Sequence, residues 1–432
     1  MIYSNLPVKP EILSPAGNFE KLKSALLFGA DAVYFAGKIF GMRTAADNFT
    51  LEEIGKACLY THECGKKLYL TVNTVPKSCD ITELKDYLNE IKHLDDKPDA
   101  VICADIGVVA LVKKIMPDVD IHISTQANTQ NHLACAAWAE LGVKRVILSR
   151  ELSFADIKDI KDNLENNNIG MELECFVHGS MCVSYSGRCL LSNYFVSRDA
   201  NKGACTQPCR WKYYVTEEQR PGTYLEIAED AQGTFLFSSR DLCMIEHMDD
   251  LVMSGISAFK IEGRMKSAYY TASITNAYRM ALDSFYNLQK TDIDLIQNLK
   301  TEVESVSHRE YDTGFFYGSP ETDAKICENP EYIREKAYLG TCVNCEYDGG
   351  IQVAVFEQKN KVVLNQKAQI LSPSCFGEDI FVGNLYGEND QPIESAPHPH
   401  MVFKIKIDED IKNINGVWRK KEIKPGDILR SM

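Results

Sequence analysis

The chain has 432 residues, 45% of them hydrophobic and 25% charged, with a formal net charge of −14. That balance is globular, and the acidity excludes a protein that coats itself in nucleic acid non-specifically, while leaving room for one local basic patch. No run approaches the roughly 18 apolar residues that a membrane span needs, and the opening MIYSNLPVKPEILSPAG lacks the basic-then-apolar order of a secretion signal, so a soluble cytoplasmic protein with no membrane partner is expected.

One unit recurs along the chain. A helix ends near a glycine and a short apolar strand follows, as in ALLFGADAVYFAG (25–37), AELGVKRVILSR (139–150) and LVMSGISAFKIEG (251–263). Glycine supplies the left-handed cap that ends a helix, and the apolar runs suit strands buried on both faces. In the first helix Phe19, Leu22, Leu26 and Leu27 make one apolar stripe. Eight strands are predicted, at 11–14, 32–36, 67–73, 99–103, 119–124, 145–148, 171–177 and 258–262. Eight strands alternating with helices predict an α/β chain with a (β/α)8, TIM-like barrel. A doubly wound sheet fits the periodicity almost as well, but the count and the absence of a GxGxxG turn favour the barrel.

The expected divisions follow. Residues 1–285 form the barrel, with a cysteine-rich insertion at 178–256 after the seventh strand; FLF (235–237) is an ambiguous strand inside it. Residues 286–337 form a helical and irregular connector, and 338–432 a small all-β, barrel-like domain whose short strands are separated by turns such as Asp348–Gly349 and Pro425–Gly426.

In such barrels the segments after each strand's C-terminal end build the site. That rule selects Arg43 and Asn48 after strand two, Asn73 at the end of strand three, Gln126 and Asn128 after strand five, His178 after strand seven, and Lys260, Glu262 and Arg264 at strand eight. Each has a plainer reading. Lys260 and Glu262 suit a buried ion pair, Asn73 and Asn128 suit caps of loop backbone, Asn48 suits a turn, and His178 suits a satisfied loop histidine.

Fifteen cysteines are many, and in a reducing compartment they do not argue for disulfides. Cys58, Cys103, Cys135 and Cys175 sit in apolar runs and read as inert buried residues. Cys182, Cys189, Cys205 and Cys209 fall within FVHGSMCVSYSGRCLLSNYFVSRDANKGACTQPCRWKY (176–213), and Cys243 follows in SSRDLCMIEH. Four loop thiolates can hold zinc or an iron–sulfur cluster, and the loose spacing favours the cluster. Cys342 and Cys345 form a lone CVNC, a weak signal that reads as a chance pair at a strand start. Around the clustered cysteines Arg188, Arg198, Lys202, Arg210 and Lys212 face only Asp199, a local charge of +4, and Tyr185, Tyr194, Phe195 and Trp211 interleave with them. Cations for phosphates and rings for bases suit RNA, although the cations could equally balance thiolate charge.

FVHGSMCVSYSGRCLLS closely resembles the signature of the collagenase-like peptidase family, whose catalytic type was never established. ILSPAG (12–17), DAVYFAGKIFGMRTAADNF (31–49), FKIEGRMKS (259–267) and SHREYDTGFFYG (307–318) match family blocks in order. GACTQPCRWKY is similar to the tRNA-hydroxylation branch of that family. The resemblance implies formation of 5-hydroxyuridine at the tRNA wobble position, with prephenate as hydroxyl donor in an oxygen-independent route. It further implies a [4Fe-4S] cluster, as in relatives from ubiquinone synthesis, whose ligands carry over to Cys182, Cys189, Cys205 and Cys243. The interval between Cys189 and Cys205 is one residue short of that pattern, so Cys209 is a rival ligand. Arginine and lysine at the barrel mouth suit the two carboxylates of prephenate. The partners implied are tRNA and a paralogous family member. Two other readings stand beside this one. The first is a peptidase, with Cys182 as nucleophile and His178 as base, although HExxH and GxSxG are both missing. The second is a non-catalytic, cluster-bearing partner of another modification enzyme.

Overall fold

The computed structural model describes residues 3, 5–42, 47–182, 240–318, 332–407 and 422–432, together with 184, 186, 189, 191–198, 200, 203–210 and the backbone of short strands within 215–234 and 411–419. The strands are β1 (Glu11–Pro15), β2 (Ala32–Ala36), β3 (Lys67–Val72), β4 (Ala100–Cys103), β5 (Asp120–Ile123), β6 (Arg145–Ile147) and β7 (Glu172–Ser180). Four two-residue strands, β8 (Val215–Thr216), β9 (Tyr224–Leu225), β10 (Glu229–Asp230) and β11 (Gly233–Thr234), precede β12 (Asp241–Cys243), β13 (Ala258–Ile261) and β14 (Tyr311–Asp312). From β1 to β7 each strand pairs in parallel with the next, and β13 pairs with both β7 and β1, so the predicted eight-stranded barrel closes. All eight barrel strands lie close to their expected positions. The FLF segment lies outside the described residues.

The helices are α1 (Phe19–Leu27), α2 (Leu51–Glu63), α3 (Ile81–Lys92), α4 (Ile106–Ile115), α5 (His132–Glu140), α6 (Phe154–Asn166), α7 (Leu191–Val196), α8 (Met248–Met253), α9 (Ala268–Leu288) and α10 (Ile293–Glu304). Side-chain caps fix where several begin. Asn18 accepts from the Lys21 amide, and Thr50 with Glu53 and Ser153 with Asp156 close reciprocal capping boxes. These caps follow β-strand ends, so they also fix the loops at the barrel mouth. Gly142 (φ +80°) and Gly255 (φ +69°) stop helices in the left-handed conformation, the role their places in the repeating unit predict. No helix among the described residues is long and apolar enough to cross a membrane.

Strand β7 departs from the prediction. It continues to Ser180, and its end pairs antiparallel with β12, setting Cys243 opposite His178. Lys260 pairs with Phe176 but Ile261 pairs with His178, so Val177 is an extra residue, a bulge.

After the barrel, strands at Glu378–Phe381, Lys367–Leu371, Ile428–Ser431, Tyr338–Asp348, Ile351–Gln358, Val402–Ile407 and Leu385–Gly387 lie side by side in that order as an antiparallel sheet. This is the expected all-β part, with its own apolar core. Leu371 and Ile428 nevertheless belong to the barrel's hydrophobic cluster. Arg430, fully buried, places its Nη1 2.6 Å and its Nη2 2.8 Å from the Glu302 carboxylate of α10.

Candidate functional site

A cavity of about 270 Å³ opens at the C-terminal ends of the barrel strands. Its floor is a buried charge layer. Lys260 Nζ lies 2.7 Å from Glu174 Oε1 and 4.4 Å from the centre of the Tyr34 ring. Below it, Arg145 bridges Glu11 at 3.0 Å, Glu174 at 3.3 Å and Glu172 at 2.8 Å. The buried ion pair expected of Lys260 therefore exists, but its partner is Glu174 on the neighbouring strand and not Glu262. Burial pushes the Lys260 ammonium below the usual lysine pKa, even against the carboxylate facing it.

The walls bring further groups together. Arg264 Nη1 donates to Thr71 Oγ1 at 3.2 Å. The Arg150 guanidinium lies 3.8 Å from the centre of the Phe176 ring and donates to the Ser180 carbonyl at 2.9 Å. Asn73 Oδ1 accepts from the Met42 amide at 3.1 Å and its Nδ2 donates to Ser124 Oγ at 3.4 Å, so it lines the cavity and braces a loop at once. Gln126 also lines the cavity, and its Oε1 is buried without a hydrogen-bond partner among the described residues. Glu151 fastens the insertion to the barrel rim by accepting from the Ser186 amide at 2.9 Å and from its hydroxyl at 3.0 Å.

Cys182, Cys189, Cys205 and Cys209 all reach the lining of this cavity. Cys205 Sγ accepts from the Gln207 amide at 3.4 Å and from the buried Ser192 hydroxyl at 3.9 Å. Four soft thiol donors around one cavity, with N–H and O–H groups aimed at a sulfur, fit the chemistry that an iron–sulfur cluster asks of its protein. Among the described residues no three His, Cys, Asp or Glu side chains already stand close enough to hold one metal ion, so binding requires the thiols to draw together. Cys243 is not on the cavity wall. It sits on β12 against Tyr278, where burial pushes its thiol up to about 12.

Of the eight described substrate-site candidates, Asn73, Gln126, Lys260, Glu262 and Arg264 line the cavity and three do not. Asn48 (φ +48°) and Asn128 (φ +57°) adopt the left-handed backbone of turns. The Asn48 amide donates to the Gly17 carbonyl, and Asn128 Oδ1 accepts from Gln130 at 2.7 Å. His178 was expected at the mouth, but the Val177 bulge turns it to the outer face of the barrel. There its ring meets those of Tyr270, Tyr278 and Tyr311, with the Tyr311 hydroxyl 3.3 Å from Nε2, and burial lowers its pKa to about 3. A histidine so placed is no base for a thiol in the cavity, so the proposed pairing of Cys182 with His178 is not formed.

Arg43, Arg188, Lys202, Trp211 and Lys212 lie outside the described residues. Arg210 ends a one-turn helix, Pro208–Arg210, and its side chain is likewise outside the description. Arg198, just beyond α7, is exposed, as is Phe195 at 43%. Cys58, Cys103, Cys135 and Cys175 are buried as expected. The sequence reading missed Arg150, Glu151 and Tyr34. Arg150 was within reach of the rule already applied, since it stands two residues beyond the predicted sixth strand.

The family model described as Peptidase family U32 matches residues 17–325, and that of the Peptidase family U32 C-terminal domain matches residues 334–430. The chain is 33% identical over 403 residues, 93% of each chain, to tRNA hydroxylation protein P1 of Bacillus subtilis (strain 168). It is 41% identical over 356 residues, 78% of this chain and 82% of the relative, to tRNA hydroxylation protein P of Helicobacter pylori (strain ATCC 700392 / 26695). It is also 29% identical over 354 residues, 80% of this chain and 82% of the relative, to a protein named Collagenase from Porphyromonas gingivalis (strain ATCC BAA-308 / W83).

Proposed function

The chain belongs to peptidase family U32, and from that premise we propose that it acts in tRNA hydroxylation, converting wobble uridine to 5-hydroxyuridine with prephenate as the hydroxyl donor. The observation that supports this reading best is one cavity at the barrel mouth shared by four cysteines, three cationic side chains and two carboxamides. The names of two high-coverage relatives point the same way. A [4Fe-4S] cluster would be held by Cys182, Cys189, Cys205 and a fourth thiol. The resemblance makes that fourth ligand Cys243; the cavity lining supports Cys209. When bound, such a cluster supplies a redox centre beside the substrate.

The protein's own residues have separable roles. Arg150, Lys260 and Arg264 present cationic groups to the two carboxylates of the donor. Gln126 Oε1, buried without a partner among the described residues, is an acceptor for an imide N–H such as that of uracil. Glu151 holds the insertion over the cavity and so limits water entry. A wobble base is unpaired in the free tRNA loop, so bringing it into the cavity costs little unstacking. Exposed Arg198 and Phe195 belong to the insertion that would meet the RNA, and a paralogous family member is a further expected partner.

The peptidase reading finds less support, because the one nucleophile–base pair considered is separated by the β7 bulge. Nucleoside mass spectrometry of tRNA from a deletion strain tests the proposal. We expect 5-hydroxyuridine-derived nucleosides to disappear, to return with the wild-type gene, and to stay absent with Cys182→Ala or Cys189→Ala. Unchanged nucleosides in the deletion strain would remove the tRNA reading.

A further inference from the structure

Cys342 and Cys345 lie in the C-terminal sheet, far along the chain from the cavity cysteines. Residues three apart on a regular strand point to opposite faces, because side chains alternate with a period of two. Here the register breaks. Cys342 pairs with Phe356, Asn344 with Val355 and Cys345 with Ala354, so Val343 is an extra, bulged residue. The bulge returns both cysteines to the inner face and brings their sulfurs to 3.6 Å. Val343 faces outward, 46% exposed, whereas Cys342 is 1% exposed and Cys345 is half-buried. Each thiol also has a backbone acceptor, the Asn344 carbonyl at 3.3 Å for Cys342 and the Ile423 carbonyl at 3.0 Å for Cys345.

We propose that Cys342 and Cys345 form a reversible dithiol–disulfide couple, a redox site separate from the barrel cavity and independent of the hydroxylation reading. The geometry divides the roles. Cys345, the more accessible sulfur, attacks a sulfur of an incoming disulfide as its thiolate, and one thiolate leaves. Cys342 then attacks the Cys345 sulfur of that mixed disulfide and releases the second thiol. Two thiol protons and two electrons pass to the incoming disulfide, which becomes two thiols, and one Cys342–Cys345 bond forms. The co-reactant is a disulfide of low molecular weight or one presented by a thiol–disulfide oxidoreductase. Burial raises the pKa of both thiols above the ordinary cysteine value, so thiolate is scarce at neutral pH and uncatalysed exchange speeds up as pH rises.

The experiment uses the full-length protein, equilibrated with glutathione buffers from reducing to oxidising, alkylated, digested with trypsin and mapped by mass. Both cysteines fall in the single tryptic peptide 337–359. The expected result is a peptide lighter by two hydrogens that resists alkylation and recovers two alkylatable thiols after dithiothreitol. Cys345→Ser should abolish the cross-link, and Cys342→Ser should convert it to a stable glutathione adduct on Cys345. The proposal is overturned if both cysteines remain separately alkylatable in buffers that already glutathionylate the exposed Cys64 and Cys79. It is also overturned if Cys342→Ser leaves Cys345 unmodified there.

Discussion

Replacing Lys260 by methionine tests whether the floor of the cavity is held by charge pairing. Methionine keeps the length of the side chain and deletes the ammonium. The two partners are largely withdrawn from water, with side-chain exposures of 5% for Lys260 and 0% for Glu174. Once Lys260 is gone, Glu174 keeps only Arg145, which it shares with Glu11 and Glu172, while those two also face Lys67 and Lys144 near the surface. Breaking a buried pair by removing one partner costs about 3–5 kcal/mol. Arg145 still lies 3.3 Å from Glu174, so the lower end, about 3 kcal/mol, is expected. Adding Glu174→Leu removes the stranded carboxylate and leaves Arg145 balanced by Glu11 and Glu172, so the double variant should recover at least half of the loss. Equilibrium urea unfolding of the wild type and both variants measures this. A loss under about 1 kcal/mol, the range of exposed pairs, or a double variant no more stable than the single, would refute the reasoning.

Three further outcomes follow from the site. His178, with a pKa of about 3 when folded and about 6.5 when unfolded, stays neutral in its tyrosine cage, so its share of stability is complete above pH 6.5 and declines towards pH 3. His178→Phe should flatten the stability-versus-pH curve there by up to about 1.4 kcal/mol per pH unit, and an unchanged slope would show that the cage does not hold the ring neutral. Arg150→Met should weaken donor binding by roughly 10- to 100-fold, the worth of one charge-assisted hydrogen bond, with little effect on tRNA affinity; equal losses for both would count against a donor-specific role. Iron analysis of anaerobically purified Cys209→Ala and Cys243→Ala assigns the fourth thiol, since only the true ligand's loss should strip the metal, and full iron in both variants would contradict a site built on either.

The barrel was legible because its signal repeats. Each helix–glycine–strand unit states the same period change, and several such units agreeing outweigh the ambiguity of any single one. The C-terminal-end rule found Asn73, Gln126, Lys260, Glu262 and Arg264 for the same reason, since strand ends are easy to place. It failed where local backbone overrules spacing. Asn48 and Asn128 turn away through left-handed conformations, and one bulged residue, Val177, sends His178 to the wrong side of the wall. The proximity of Cys342 and Cys345 was hidden from the sequence for the same reason, because a bulge has no composition of its own and shows only in the partner strand's register. Pairings such as Lys260 with Glu174, 86 positions apart, belong to the closed barrel and not to any window of sequence.

The position of Arg430 has a consequence for how the protein is made. Arg430 neutralises Glu302, more than a hundred positions earlier, and Ile428 completes an apolar cluster begun at Ile12. During synthesis the eight barrel strands, complete by Ile261, therefore emerge with Glu302 uncompensated and one flank of the apolar cluster bare until the strand Ile428–Ser431 has also left the ribosome. A stop codon ahead of Ile428 should give a product prone to aggregate, even though every residue around the cavity has already been synthesised.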